Sequence, residues 1–236
     1  MLKAKFCILA LLVGVAVPII GACSDTQSPT NESIPEPLTS IKLPEPRFKS
    51  EISIEETLLQ RRSVREYADL PLTLDDVSQL LWSAQGMTAG WGGRTAPSAG
   101  ALYPLEVYLV VGNVEKLAIG VYKYKPERHE LTRVKEGDLR GELAVAALGQ
   151  SFVKEGAIVI VIAAVYERTT KKYGDRGVRY VHMEAGHAAQ NIYLQAAALD
   201  LGMVTVGAFN DNNVKDILGM AKDEVPLYVI PLGKKT

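Results

Sequence analysis

The chain has 236 residues, a formal net charge of −1, and 47% hydrophobic and 22% charged residues, the proportions of a globular protein with room for one domain and a tail. The near-neutral balance argues against the basic face that a nucleic-acid partner needs. Both cysteines, Cys7 and Cys23, fall in the first tenth of the chain, which excludes a disulfide framework or Cys-based metal site in the folded part, and the histidines (His129, His182, His187) lack HExxH spacing.

In chain order, Lys3 and Lys5 precede an apolar run over 6–20. That run is short for a membrane-spanning helix, which needs about 20 residues. The run ends in Ile20-Gly21-Ala22-Cys23, which resembles a bacterial lipobox, with Cys23 the lipidated residue. The other reading is an uncleaved anchor that contains a cysteine. Either reading places the domain outside the cytoplasm. Residues 1–22 then form a lipoprotein signal peptide. Residues 23–50, rich in Pro, Ser, Thr and Glu, form a flexible tether with too little apolar surface to offset its ordering entropy. Its later part also reads as an arm docked through Ile41, Leu43 and Phe48. The folded domain spans 51–236.

Residues 54–62 read as a short helix. Thr73 is an N-cap, with Asp75 and Asp76 in the first turn and helical apolar spacing as far as Gly86. Residues 86–103 are loop, rich in small residues. Residues 105–111 form a strand, and 120–125 and 130–134 form a hairpin around Pro126-Glu127-Arg128-His129. Residues 138–148 form a helix. The unbroken apolar run over 157–165 predicts a central buried strand. A basic loop at 168–179 leads into one long Ala-rich helix over 178–199, which is either a subunit interface or a core helix. Residues 203–209 form a strand, 212–218 a helix and 226–232 a last strand. The order predicts an α+β fold.

Four segments carry candidate chemistry. Arg61-Arg62-Ser63-Val64-Arg65 packs three guanidiniums and a hydroxyl into five residues, a donor set suited to phosphate or a solvated basic face. Ala96-Pro97-Ser98-Ala99-Gly100 lets backbone amides approach a planar ligand, or is a plain connecting loop. In Glu184-Ala185-Gly186-His187, the histidine flanked by small residues reads as a packed core residue. Val204-Thr205-Val206-Gly207-Ala208 breaks a strand at a point where amides are free. Lys172-Tyr173 reads equally as a proton relay or as an exposed basic loop.

Taken in order, RRSVR, PSAGALYP, KYGxRGxRY, ExGHxAQN, LGMVTVGAF and PLGKK resemble the nitroreductase superfamily, and within it the SagB-type branch that contains peptide azoline dehydrogenases. The likeness covers residues 54–235. It implies a central, mainly antiparallel sheet flanked by helices, in a homodimer that binds FMN at its interface. It also implies Arg61, Arg62, Ser63 and Arg65 around the phosphate and ribityl chain, with Lys234 and Lys235 adding charge. Pro97, Ser98 and Gly100 would reach the flavin from the partner subunit, and Gly207 and Ala208 would lie near its N5 and O4. The helix with Gln190 and Asn191 would line the interface, and Lys172-Tyr173 would match the catalytic Lys-Tyr pair of the azoline dehydrogenases. The implied activity is hydride transfer to or from a small molecule, with NAD(P)H or a quinol as electron donor and no metal. The alternatives are a flavin-fold binding protein without turnover, or an azoline dehydrogenase.

Overall fold

The structure, a computed structural model, describes residues 40–236. The expected signal peptide, Cys23 and the first part of the tether lie outside the described residues. The elements are β1 (Ser40–Lys42), α1 (Ile54–Gln60), β2 (Tyr67–Ala68), α2 (Leu74–Gln85), β3 (Leu105–Val111), β4 (Gly120–Lys125), β5 (Glu130–Glu136), α3 (Arg140–Ala146), α4 (Phe152–Glu155), β6 (Ile158–Ala164), α5 (Glu167–Tyr173), α6 (Arg176–Ala198), β7 (Leu201–Met203), α7 (Asp211–Leu218) and β8 (Val225–Lys235).

The strands form one sheet in the order β1-β5-β4-β3-β6-β8-β2, with β7 also on β8, and every one of these pairings is antiparallel. Successive side chains on a strand face opposite ways, so β3 and β6 feed two cores. Leu105, Val107 and Leu109 of β3 and Ile158, Ile160 and Ile162 of β6 pack on one face with α2 and α6. Tyr108 and Val110 of β3 and Val159, Val161 and Ala163 of β6 pack on the other with α3 and α7. This double burial explains the unbroken apolar run of β6. Capping boxes set two helix starts: Ser53 pairs with Glu56 for α1, and Thr73 with Asp76 for α2.

Several expectations change. The chain joins the domain before residue 51: β1 pairs with β5 and Leu43 is buried, so the docked-arm reading holds for 40–43. Phe48 stays 78% exposed, edge-on to Trp82. Residues 168–179 are not loop. They form α5 and the start of α6, broken at Gly174 with φ 56°. A close approach permits this packing, since a Cβ on Gly177 would lie 2.9 Å from the Thr170 backbone. The strand expected at 203–209 stops at Met203; beyond it Val206 makes only an isolated bridge to Val229, and the Thr205 amide turns to a side chain. His187 is exposed rather than packed, on the outer face of α6 with His182, Met183 and Gln190. The short β2 and α4 carry no apolar periodicity that would announce them.

At the rim of the second core, Glu224 is buried and accepts from Tyr108 Oη at 2.5 Å, from the Ala221 amide at 3.0 Å and from Lys123. Lys123 also meets Glu106 at 3.1 Å. Burial pushes the Glu224 carboxyl up, but the bonds from Lys123, Tyr108 and Ala221 outweigh it and hold the group below the usual carboxylate range. A depressed folded-state pKa stabilises the protein above the unfolded pKa, and that stability is lost as pH falls through the folded value. Glu224→Gln is expected to cost about 1–3 kcal/mol at neutral pH. In thermal melts run down the pH scale, the gap to wild type should close below the ordinary carboxylate range.

Candidate active site

The arginine segment leaves α1 at Arg61, where the backbone turns out of the helix (φ −52°, ψ 120°). Arg62 folds back to cap the helix, donating to the carbonyls of Leu59 and Arg61 at 2.8 Å each. The Val64 amide donates to the Met203 carbonyl at 2.8 Å, which pins the segment beside β7. Tyr193 of α6 completes the junction. Its hydroxyl accepts from the Thr205 amide at 3.1 Å and shares a hydrogen with Ser63 Oγ at 3.1 Å. The Arg61 guanidinium lies over the Tyr193 ring, 5.1 Å from its centre. The β2–β8 register sets Tyr67 opposite Lys235. The result is a hollow of about 230 Å³ lined by Arg61, Arg62, Tyr193 and Lys235.

Arg61, Arg62 and Arg65 form no ion pair among the described residues. Arg65 stands off the hollow, over the Phe152 ring at 5.7 Å. Lys234 points the other way, to Asp76 at 3.3 Å, so Lys235 is the lysine that faces the hollow. Lys235 meets the exposed Asp200 at 2.8 Å. Gly207 and Ala208 are exposed just beyond Thr205, with open space over Gly207.

A second cluster forms around the Pro97–Gly100 segment. Gly100 (φ 63°), Ala101 (φ 52°) and Tyr103 (φ 44°) are all left-handed. For the two residues with a Cβ this costs roughly 1–2 kcal/mol each. The Tyr103 amide donates to Ser98 Oγ at 2.9 Å, and Arg168 donates to the Tyr103 carbonyl at 3.1 Å. The Arg94 guanidinium covers the Tyr103 ring at 4.6 Å. Lys172 and Tyr173 stand against this turn: a Cβ on Gly100 would fall 2.7 Å from Tyr173 Oη and 3.0 Å from Lys172 Nζ. Lys172 Nζ sits 5.4 Å from the centre of the Tyr173 ring, which meets Tyr180 edge-on. Pro97 is exposed on the outer side of the turn.

Glu184 was not singled out by sequence reasoning, yet α6 places it here. It is 3% exposed, and its Oε1 has no hydrogen-bond partner. Burial pushes its carboxyl up to about 7, although the Ser98 hydroxyl and the Arg94 charge pull it down. The signal in the sequence was a lone acid among alanines and glycine on the buried face of a long helix.

One chain therefore brings Arg61, Arg62 and Ser63 to Tyr193, Thr205 and Lys235, and separately brings Ser98 and Gly100 to Lys172 and Tyr173. The two groups do not meet. Glu184 and Tyr193 mark them on α6, about 13 Å apart at 1.5 Å per residue.

A carboxyl whose folded pKa is raised favours the folded state while protonated. It destabilises the fold as pH rises from the unfolded value towards the folded one. Glu184→Gln should therefore raise the melting temperature relative to wild type at pH 8, by up to roughly 3 kcal/mol in stability, and change little near pH 4. Parallel calorimetry of both proteins across that range measures the difference.

Comparison with known proteins converges on one family. The sequence pattern of the nitroreductase family matches residues 58–234. The protein MJ1384 of Methanocaldococcus jannaschii, named for the nitroreductases, is 54% identical over 185 residues, covering 78% of this chain and 92% of that one. The microcin B17-processing protein McbC of Escherichia coli is 30% identical over 142 residues, 58% of this chain and 52% of its own length. A crystal structure of a Ralstonia eutropha protein, also named for the nitroreductases, superposes with a TM-score of 0.74 at 32% identity, covering 84% of this chain and 90% of that one. With the antiparallel sheet between helical layers already in view, the chain belongs to the nitroreductase family.

Proposed function

We propose that this protein is an FMN-dependent oxidoreductase, working as a homodimer, that transfers a hydride to or from a small organic molecule such as a nitro, quinone or enone compound, or a substrate of dehydrogenation. The observation that carries the reading is the hollow where Arg61, Arg62 and Lys235 meet beside Tyr193. Three cationic donors, two of them planar forks, fit a dianionic phosphate. Arg61, Arg62, Ser63 and Lys235 would hold that phosphate, with Arg65 and Lys234 adding positive potential from the flanks. The free amides at Gly207 and Ala208 would face the edge of the flavin ring. When bound, FMN supplies the two-electron chemistry, and the protein supplies binding, orientation and electrostatics.

The separation of the two clusters along α6 supports the homodimer, since a two-fold pairing of α6 helices would set the turn of one protomer beside the hollow of the other. The outer face of α6, with His182, Met183, His187 and Gln190, is exposed in the single chain, as are Ile54, Leu58 and Leu59 of α1. Lys172 Nζ and Tyr173 Oη then flank the substrate side, where they hold and move a proton during turnover. Their place beside Gly100, with the kinship to McbC, favours peptide azoline dehydrogenation as a second reading. The expected lipid anchor on Cys23, which places the domain outside the cytoplasm, speaks against it. NAD(P)H is scarce there, which makes a quinol the better candidate donor.

Purified protein should be yellow and bleach with dithionite; colourless protein that takes up no added FMN would sink the proposal. Arg62→Ala should weaken FMN binding about 10- to 100-fold, the loss of one charge-assisted contact. Lys172→Ala should keep FMN but lose turnover by about 100-fold or more. Mixed dimers of the two variants should recover activity that neither has alone, since one of their two sites is intact. Labelled fatty acid should be incorporated into the wild-type protein and not into Cys23→Ala.

A further inference from the structure

Lys172 and Tyr173 end α5, and Arg168 stands one helical turn before Lys172 on the same helix. Its guanidinium reaches two different partners. Nη1 donates to the Tyr103 carbonyl, in the left-handed turn, at 3.1 Å, and Nη2 donates to Glu106 of β3. Glu106 gives one oxygen to Arg168 and the other to Lys123 of β4, at 3.1 Å, and Lys123 is held in turn by Glu224. Charges of alternating sign thus run from the rim of the second core to the backbone of the turn. An isolated exposed ion pair would hold little. Here the outer side chain is 42% exposed, while those of Glu106, Lys123 and Glu224 are 14%, 17% and 3% exposed, so the guanidinium is fixed from inside.

The turn needs such a clamp. Ala101 and Tyr103 are left-handed, a conformation that relaxes unless surrounding contacts over-determine it. Gly100 of the same turn stands against Lys172 and Tyr173, so close that a Cβ there would lie 3.0 Å from Nζ and 2.7 Å from Oη. The start of α5 is fastened through the backbone, where the Val165 amide donates to the Pro104 carbonyl at 2.9 Å. Arg168 fastens the helix again one turn before the pair. A planar fork bonded to two acceptors fixes direction as well as distance, which an ammonium on a flexible stem does not.

We infer that Arg168 is a positioning residue for Lys172 and Tyr173, clamping the left-handed turn to α5 from its anchor on Glu106. Arg168 takes no part in proton movement itself. The inference rests on the proposed role of the Lys172–Tyr173 pair, and it adds the element that holds that pair in register with the turn.

Two measurements test it, and the first needs no flavin. Hydrogen exchange of the full flavin-free protein, read by mass spectrometry, should be faster in Arg168→Met than in wild type for peptides covering 96–104 and 169–175. Peptides covering 61–68 should be unchanged. Glu106→Gln, which leaves Lys123 with Glu224, should speed the same two regions, and it carries the test if Arg168→Met does not fold. Unchanged exchange in both regions overturns the clamp. The second measurement is stopped-flow reoxidation of dithionite-reduced, FMN-loaded protein by menadione. Arg168→Met should lower the limiting rate about tenfold and leave the half-saturating menadione concentration within about twofold. In a Lys172→Ala background the same substitution should cost nothing further, because Arg168 acts through the pair. An equal additional loss in that background overturns the inference. So does full recovery in Arg168→Lys, which would make the effect one of charge rather than of the fork. Protein that takes up no FMN sinks the flavin reading, whereas loaded protein with these rates unchanged sinks only the positioning role.

Discussion

The Tyr193 hydroxyl is the junction on which the cationic hollow depends. It ties α6 to Ser63, 130 residues upstream, and to Thr205, 12 residues downstream, with bonds of 3.1 Å each. A phenol can donate once and accept as well, so one side chain satisfies both neighbours. Its ring carries the Arg61 guanidinium. Three segments that share no secondary structure are thereby brought to one place, and the ladder beyond β7 is interrupted at Thr205, whose amide bonds to this hydroxyl, before Val206 bonds back to Val229 of β8. Gly207 and Ala208 stand exposed just beyond that bridge.

Two buried glutamates show how the same residue type reaches opposite states. Glu224 has an ammonium in contact and two further donors, so it is held ionised despite burial. Glu184 has a hydroxyl nearby and an arginine acting through its charge, so burial prevails. A buried charge is tolerated only with a partner in contact. The first group secures the rim of the core, far from the hollow. The second leaves a carboxyl that is substantially protonated at neutral pH beneath the turn that also holds Lys172 and Tyr173.

That turn is strained where function is proposed. Ala101 and Tyr103 occupy backbone that glycine tolerates and they do not. Such conformations persist where surrounding contacts over-determine them. Here Ser98, Arg94 and Arg168 do so, each through Tyr103.

Local chemistry made much of this readable in the sequence. The period-two and unbroken apolar patterns located β3, β4 and β6, because burial on one or both faces leaves that mark. The Thr73 and Gly86 boundaries of α2 were plain because caps are local. The order of motifs was enough to point to the family and to the arginine cluster. Other features answered only to tertiary contact. Residues 168–179 look like a polar loop, and they are helical because Gly177 lets α6 pack on the Thr170 backbone. Adjacent lysines project to opposite faces of a strand, so which of Lys234 and Lys235 meets the arginines waited on the β2–β8 register. The sequence by itself determined the long strands, helix α2 and the cationic donor residues, since each rests on neighbours within a turn or a strand. Only the tertiary structure decided that those donors form two separate clusters along α6, because their spacing is set by the rise of one helix and by a hydroxyl that bridges distant segments.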